Sequence, residues 1–122
     1  ELDRRARAAR RGLRAIAAHP GLTDTELVAN TIRMRAPAPV AQLAKWGSKL
    51  ITQGVRAGAL PQLYAITAAD VRGGEYFGPT SLGQTRGAPG RVTPSLAACH
   101  EGTAGLLWER TAELTGVPPD PA

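Results

Sequence analysis

Cysteine is almost missing from this chain: Cys99 is the only one among 122 residues. A lone cysteine excludes an intramolecular disulfide framework and a cysteine-rich zinc site, and it suits a reducing compartment, so a cytoplasmic location is expected. Aromatic residues are scarce at 4%, and Met34 is the single methionine. No apolar run approaches the roughly 18 residues of a membrane span, and no apolar h-region opens the chain, so neither a span nor a signal peptide is expected. Internal repeats and low-complexity tracts are also missing. What is present is a hydrophobic fraction of 43%, with 14 Gly, 10 Pro and a net charge of +5. That fraction argues against wholesale disorder, and the length allows one small domain. Because the chain starts at Glu1 and its methionine falls at Met34, it is expected to be a piece of something longer.

The positive charge is confined to one end. Residues 1–14 carry Arg4, Arg5, Arg7, Arg10, Arg11 and Arg14 against Glu1 and Asp3, a surplus of four; the rest holds nine basic and eight acidic groups. A basic arm binds phosphate backbones by charge neutralisation. Helical geometry offers a plainer account, because Leu2, Ala6, Ala9 and Leu13 share one stripe with Arg4, Arg7 and Arg11 opposite. That pattern is a surface helix with a solvated arginine face, and no nucleic-acid partner is expected.

Further along, Gly12 stands where a helix-ending glycine belongs. Leu13 to Ala18 then reads as a strand buried on both faces, the kind found in parallel sheets. Residues 22–38 read as irregular or broken helix, with Thr25 as a cap for a turn starting at Glu26. A helix is predicted over 40–52, through Val40, Leu43, Leu50 and Ile51. Another is predicted over 56–68, through Leu60, Leu63, Tyr64 and Ile66, with Pro61 starting or kinking it. Glu75–Phe77 reads as a three-residue strand closed by Gly78-Pro79, and residues 80–92 as loop. Thr93-Pro94 would open a last helix running to Thr115, with Leu96, Cys99, Leu106, Leu107 and Leu114 on one side and Gly116 ending it. Cys99 is expected as a small core residue. The alternation suggests α/β architecture.

The informative segment is His19-Pro20-Gly21-Leu22-Thr23-Asp24-Thr25, directly after the expected buried strand. In open α/β sheets ligands sit beyond the carboxyl ends of strands. Pro20 fixes its backbone, Gly21 permits close approach of a flat ring, and Thr23 and Thr25 offer hydroxyls and amides to a carboxamide or phosphate. The same residues also make an ordinary strand-to-helix turn, with His19 oriented by that turn.

This segment resembles the Pro-Gly-x-x-x-Thr stretch that follows the sixth strand of the short-chain dehydrogenases/reductases. The likeness continues through Gly58–Ala65 and Val71–Pro79, and it ends in Leu107-Trp108-Glu109-Arg110 to Val117, similar to the retinol-dehydrogenase-like branch. The resemblance implies the C-terminal portion of a doubly wound Rossmann-type parallel sheet, mostly helical within this chain. Residues 1–117 would belong to a dinucleotide-binding oxidoreductase domain, and 118–122 would be a frayed tail. By this resemblance NAD or NADP is the cofactor, with Pro20 and Gly21 near the nicotinamide and Thr23 and Thr25 at its carboxamide or pyrophosphate. Leu27, Ile32, Met34 and Trp46 would fall in a substrate-covering segment for a lipophilic alcohol or carbonyl compound. Apolar residues at helical spacing are as readily plain core. Self-association as a homo-oligomer is implied by resemblance alone.

The departures are large. The Gly-rich turn, the Asn-Ala-Gly segment, the catalytic Ser and the Tyr-x-x-x-Lys pair are not in this sequence. Tyr64 is followed by Ala68, and Tyr76 by Thr80, where Lys would be needed to lower a tyrosine's pKa. Hydride chemistry belongs to the cofactor, so the chain alone is expected to be inactive and to bind no dinucleotide usefully. His19, Cys99 and His100 are too few and too scattered for a metal set. No Gly-x-Ser-x-Gly elbow or carboxylate pair occurs. The competing reading is a small non-enzymatic helical domain that binds a partner or nucleic acid through its arginine-rich first helix.

Overall fold

The computed structural model describes residues 1–23 and 52–117. Within them the elements are α1 (Leu2–Ala8), β1 (Ala17–Ala18), α2 (Val55–Thr67), β2 (Tyr76–Ser81), β3 (Arg86–Arg91), a 3-10 turn (Ala97–Cys99) and α3 (Glu101–Thr115). The strands make one sheet in the order β1-β2-β3, so the architecture is mixed α/β and not the all-helical module of the competing reading. The predicted helix over 40–52 and the tail 118–122 lie outside the described residues, apart from Thr52, which is not helical. Two compact units divide the chain, one from Glu1–Ala17, Asp70–Tyr76 and Thr93–Ala122, the other from Ala18–Ala69 and Phe77–Val92.

In the first unit, α1 forms where strong helix formers alternate with charges suited to its dipole, Asp3 in the first turn and Arg5 and Arg7 in the last. Ion pairs one turn apart, Arg5–Glu1 at 2.7 Å and Arg7–Asp3 at 2.6 Å, run along it. Arg4 and Arg5 hold the Glu1 carboxyl below its ordinary value of 4.5. Ala6 is fully buried and Arg4, Arg7 and Arg11 are exposed, as the helical stripe predicts. Ala9 and Leu13 of the expected inner face, however, lie past the end of α1 and are exposed. Gly12 does not end this helix. Arg10 takes the left-handed position at φ 54°, with Arg10 N–H donating to the Arg7 carbonyl at 3.0 Å and Arg11 N–H to that of Ala6 at 2.8 Å. This is the paired bond pattern that closes helices, here without glycine.

The expected strand over 13–18 shrinks to Ala17–Ala18, and Leu13 and Ile16 are 43% and 37% exposed. Among the described residues β1 has β2 as its one sheet neighbour, and it falls short of the burial expected of a parallel-sheet interior. The last helix also starts later than predicted. Thr93-Pro94 does not cap it; His100 does, its Nδ1 accepting the Thr103 N–H at 3.1 Å. Gly116 ends it at φ 69°, as expected. The leucines predicted for its inner side are exposed instead, Leu96 by 92%, and Cys99 is an exposed thiol outside the core.

In the second unit, α2 runs through Pro61, which neither starts nor ends it, and buries Gly58, Pro61 and Ala65 at helical spacing. Leu60, Leu63 and Ile66 face outward. Small and ring residues rather than leucines make the inner stripe because α2 packs closely on β3. The residues predicted as loop, 80–92, are mostly strand. β2 and β3 pair antiparallel, with Phe77 opposite Arg91 and Pro79 opposite Pro89, and an irregularity between Pro79 and Ser81. Phe77 is the centre of this core. It is fully buried, its ring lies 5.5 Å from that of Tyr64, and the Arg91 guanidinium stands 5.8 Å from its centroid. Burying such a side chain contributes about 1.5–3 kcal/mol.

The bonds between β1 and β2 advance in one direction, Ala17 N–H to the Glu75 carbonyl and His19 N–H to that of Phe77. The two strands are therefore parallel, and a parallel pair needs a long crossover, to which α2 belongs.

Candidate functional site

His19 to Thr23 leaves the carboxyl end of β1, the position at which parallel α/β sheets present ligand sites. Its shape follows from local chemistry. The Gly21 N–H donates to His19 Nδ1 at 3.2 Å, so the imidazole is held by the turn, as the sequence suggests. Gly21 adopts φ +68°, and a Cβ there would stand 2.4 Å from the Thr85 carbonyl oxygen and 2.7 Å from Pro79 Cγ. Only glycine fits that backbone at that distance. The space its missing side chain leaves is thus taken by the β2–β3 hairpin, which by itself requires glycine at this position.

The loop is bonded to the hairpin as well as touching it. Leu22 N–H donates to the Thr85 carbonyl at 2.7 Å. Thr23 forms a parallel bridge with Gln53, and its hydroxyl donates to the Pro20 carbonyl at 3.2 Å. Gln53, only 7% exposed, donates through Nε2 to the same Pro20 carbonyl at 2.7 Å. Its Oε1 accepts the Gly87 N–H at 3.1 Å, and its backbone N–H donates to the Leu22 carbonyl at 2.8 Å. Gly58 of α2 lies so close that a Cβ would meet Thr23 Oγ1 at 2.4 Å. Pro20 and Leu22 remain exposed on the outer side of the loop.

Pro20, Gly21 and Thr23 are therefore brought into one built loop. Thr25, Leu27, Ile32, Met34 and Trp46 lie outside the described residues. Gln53 is the residue that sequence reasoning missed; a lone glutamine before Gly54 carries no signal of its partners at Pro20 and Gly87.

The arginine-rich end has a different chemistry from a free basic arm. Arg4 and Arg5 pair with Glu1, Arg7 pairs with Asp3 and donates to the Gly73 carbonyl, and Arg14 donates to the Val71 carbonyl at 3.0 Å. The Arg5 guanidinium also stands 5.4 Å from the centre of the Trp108 ring. The same unit has a groove of about 560 Å³ along α3, lined by Leu107, Trp108, Thr111 and Val117 among others. Trp108 Nε1 is shielded and has no hydrogen-bond partner among the described residues. Among those residues no cluster of His, Cys, Asp and Glu suits a metal ion, and no helix is long and apolar enough to cross a membrane.

No protein-family model, curated protein or solved structure matches this chain.

Proposed function

We propose that this chain is the C-terminal portion of an NAD(P)-dependent short-chain oxidoreductase of the Rossmann type, acting on a lipophilic alcohol or carbonyl compound. One observation carries the reading: a Pro-Gly loop rigidly built at the carboxyl end of a parallel strand whose neighbour is reached by a helical crossover. The resemblance described above supplies the class of chemistry.

In this reading Pro20 and Leu22 form a wall beside the nicotinamide, and Thr23 sits where its backbone meets the carboxamide. The described residues fit only that end of a dinucleotide. The pyrophosphate needs a Gly-rich strand-to-helix turn, and the sequence contains none. When bound, the cofactor supplies the hydride; these residues orient its ring and exclude water. The proton donor and its lysine would come from outside residues 1–122.

The coding sequence continuous with Glu1 tests the proposal. It is expected to read Tyr-x-x-x-Lys shortly upstream and a Gly-rich turn further back, and its product is expected to oxidise NADPH or NADH with a lipophilic carbonyl substrate. A continuous reading frame with neither motif would refute it. The isolated chain is expected to show no NADPH heat in titration calorimetry, and tight binding there would contradict the assignment of the phosphate seat elsewhere.

A further inference from the structure

We propose that Gln53 is the positioning residue of the Pro20–Thr23 loop, clamping it to β3 through both ends of one side-chain amide; its consequence for a cofactor rests on the function proposed above. A buried amide is costly unless its donors and acceptor are met. Gln53 is buried, and its side chain reaches 33 residues back to the Pro20 carbonyl and 34 forward to the Gly87 N–H. With its backbone N–H on the Leu22 carbonyl, it holds two alternate carbonyls of a four-residue loop. Between them lie Gly21, at φ +68°, and the Leu22 N–H, which the Thr85 carbonyl takes. Those bonds fix the peptide planes on either side of Gly21, and hence the direction in which Thr23 presents its backbone.

The clamp is directional. One oxygen must accept from Gly87 while a donor on the same carbon faces Pro20, which a primary amide satisfies and a carboxylate or thioether does not. Protonated glutamic acid does satisfy it, because its carbonyl accepts while its O–H donates. This gives the inference a readout that mere filling of space would not produce.

The experiment follows the amide resonances of Gly21, Leu22 and Gly87 in chain 1–122 for the wild type, Gln53→Met and Gln53→Glu. In Gln53→Met the Gly87 amide is expected to exchange about tenfold faster, from loss of a buried hydrogen bond, with all three resonances shifted. In Gln53→Glu the same changes are expected at neutral pH, and acidification through the carboxyl's titration is expected to return the resonances toward wild type. Should Gln53→Met fail to fold, the acid-dependent return in Gln53→Glu reads the same bonds. Unchanged Gly87 and Leu22 resonances in Gln53→Met, or no return in Gln53→Glu, overturn the clamp. Carried into the continuous reading frame, Gln53→Met is expected to raise the dinucleotide KM about tenfold while kcat changes less than about twofold. A loosened loop with an unchanged KM leaves the clamp standing and overturns the placing of the loop beside the cofactor.

Discussion

Replacing Gly21 with alanine tests whether the Pro-Gly loop is docked on the hairpin or merely passes near it. Two costs combine at this position. The left-handed backbone at φ +68° disfavours any residue with a Cβ by about 1–2 kcal/mol. The new methyl would also stand 2.4 Å from the Thr85 carbonyl oxygen and 2.7 Å from the ring of fully buried Pro79. Neither neighbour is a flexible side-chain tip, so the loop must lift, which costs about 1–3 kcal/mol by overpacking and weakens the Leu22–Thr85 bond. Together these predict a loss of about 3–4 kcal/mol. Gly83 provides the control: its φ is +62°, but nothing lies within 4 Å of a Cβ there. Gly83→Ala is expected to cost only the backbone part. The difference of about 2 kcal/mol corresponds to a urea midpoint lower by about 1–2 M in Gly21→Ala, given a slope near 1–2 kcal/mol/M for a small chain. Far-UV circular dichroism in urea reads both midpoints. Equal midpoints for the two variants would refute the docking.

The core of the second unit makes a parallel prediction: Phe77→Ala is expected to cost about 3–5 kcal/mol and Phe77→Leu much less, by the same urea series, and a near-neutral Phe77→Ala would remove Phe77 from its central place. Arg10 holds a left-handed helix-closing position at φ 54°, so Arg10→Gly is expected to raise stability by about 0.5–1 kcal/mol, and a lower melting temperature would contradict the assigned helix end. The Glu1 carboxyl is held down first by its bond to Arg4 and then by Arg5. A lowered folded-state pKa contributes stability that is present above the ordinary value of 4.5 and lost as pH falls through the depressed one. Acid titration of the Arg5 amide resonance, whose N–H meets the Glu1 carbonyl at 3.0 Å, should show this loss in the wild type. The step should vanish in Glu1→Gln, and an identical acid profile in both would refute the pairing.

What the sequence makes legible here follows from how far each signal reaches. α1, α2 and the end of α3 appear in periodicity and in Gly116, because their causes lie within a turn or two of each residue. The start of α3 does not, since Thr93-Pro94 carries the usual signature while the cap that acts is an imidazole at His100. Burial is harder to read. The leucines of α2 and α3 suggest inner faces, yet α2 turns Gly58, Pro61 and Ala65 inward because close packing on β3 favours small residues. The loop at Pro20–Thr23 is legible as a loop, whereas its support is not. Gln53 acts across 33 residues in one direction and 34 in the other, and no local pattern encodes such a pairing.

The hidden hairpin and the built loop have one origin. β2 reads Tyr-Phe-Gly-Pro-Thr-Ser and β3 reads Arg-Gly-Ala-Pro-Gly-Arg, sequences whose glycines and prolines argue for loop under strand propensity. Those same residues clear the surface on which the Pro20 segment rests. A Cβ at Gly78 would fall 2.0 Å from His19 Nε2, so any larger residue would push the imidazole out of the turn it holds. Pro79 lies fully buried against the backbone of Gly21. An alternating run of valines and threonines would have announced the strands, but its side chains would have held the loop away. The composition that conceals β2 and β3 from propensity is therefore what allows Thr85 to reach the loop's backbone directly and Gly87 to reach it through the Gln53 side chain. Substituting Gly78 with alanine should displace His19 and the Gly21 N–H bond together while leaving the Phe77–Arg91 register intact.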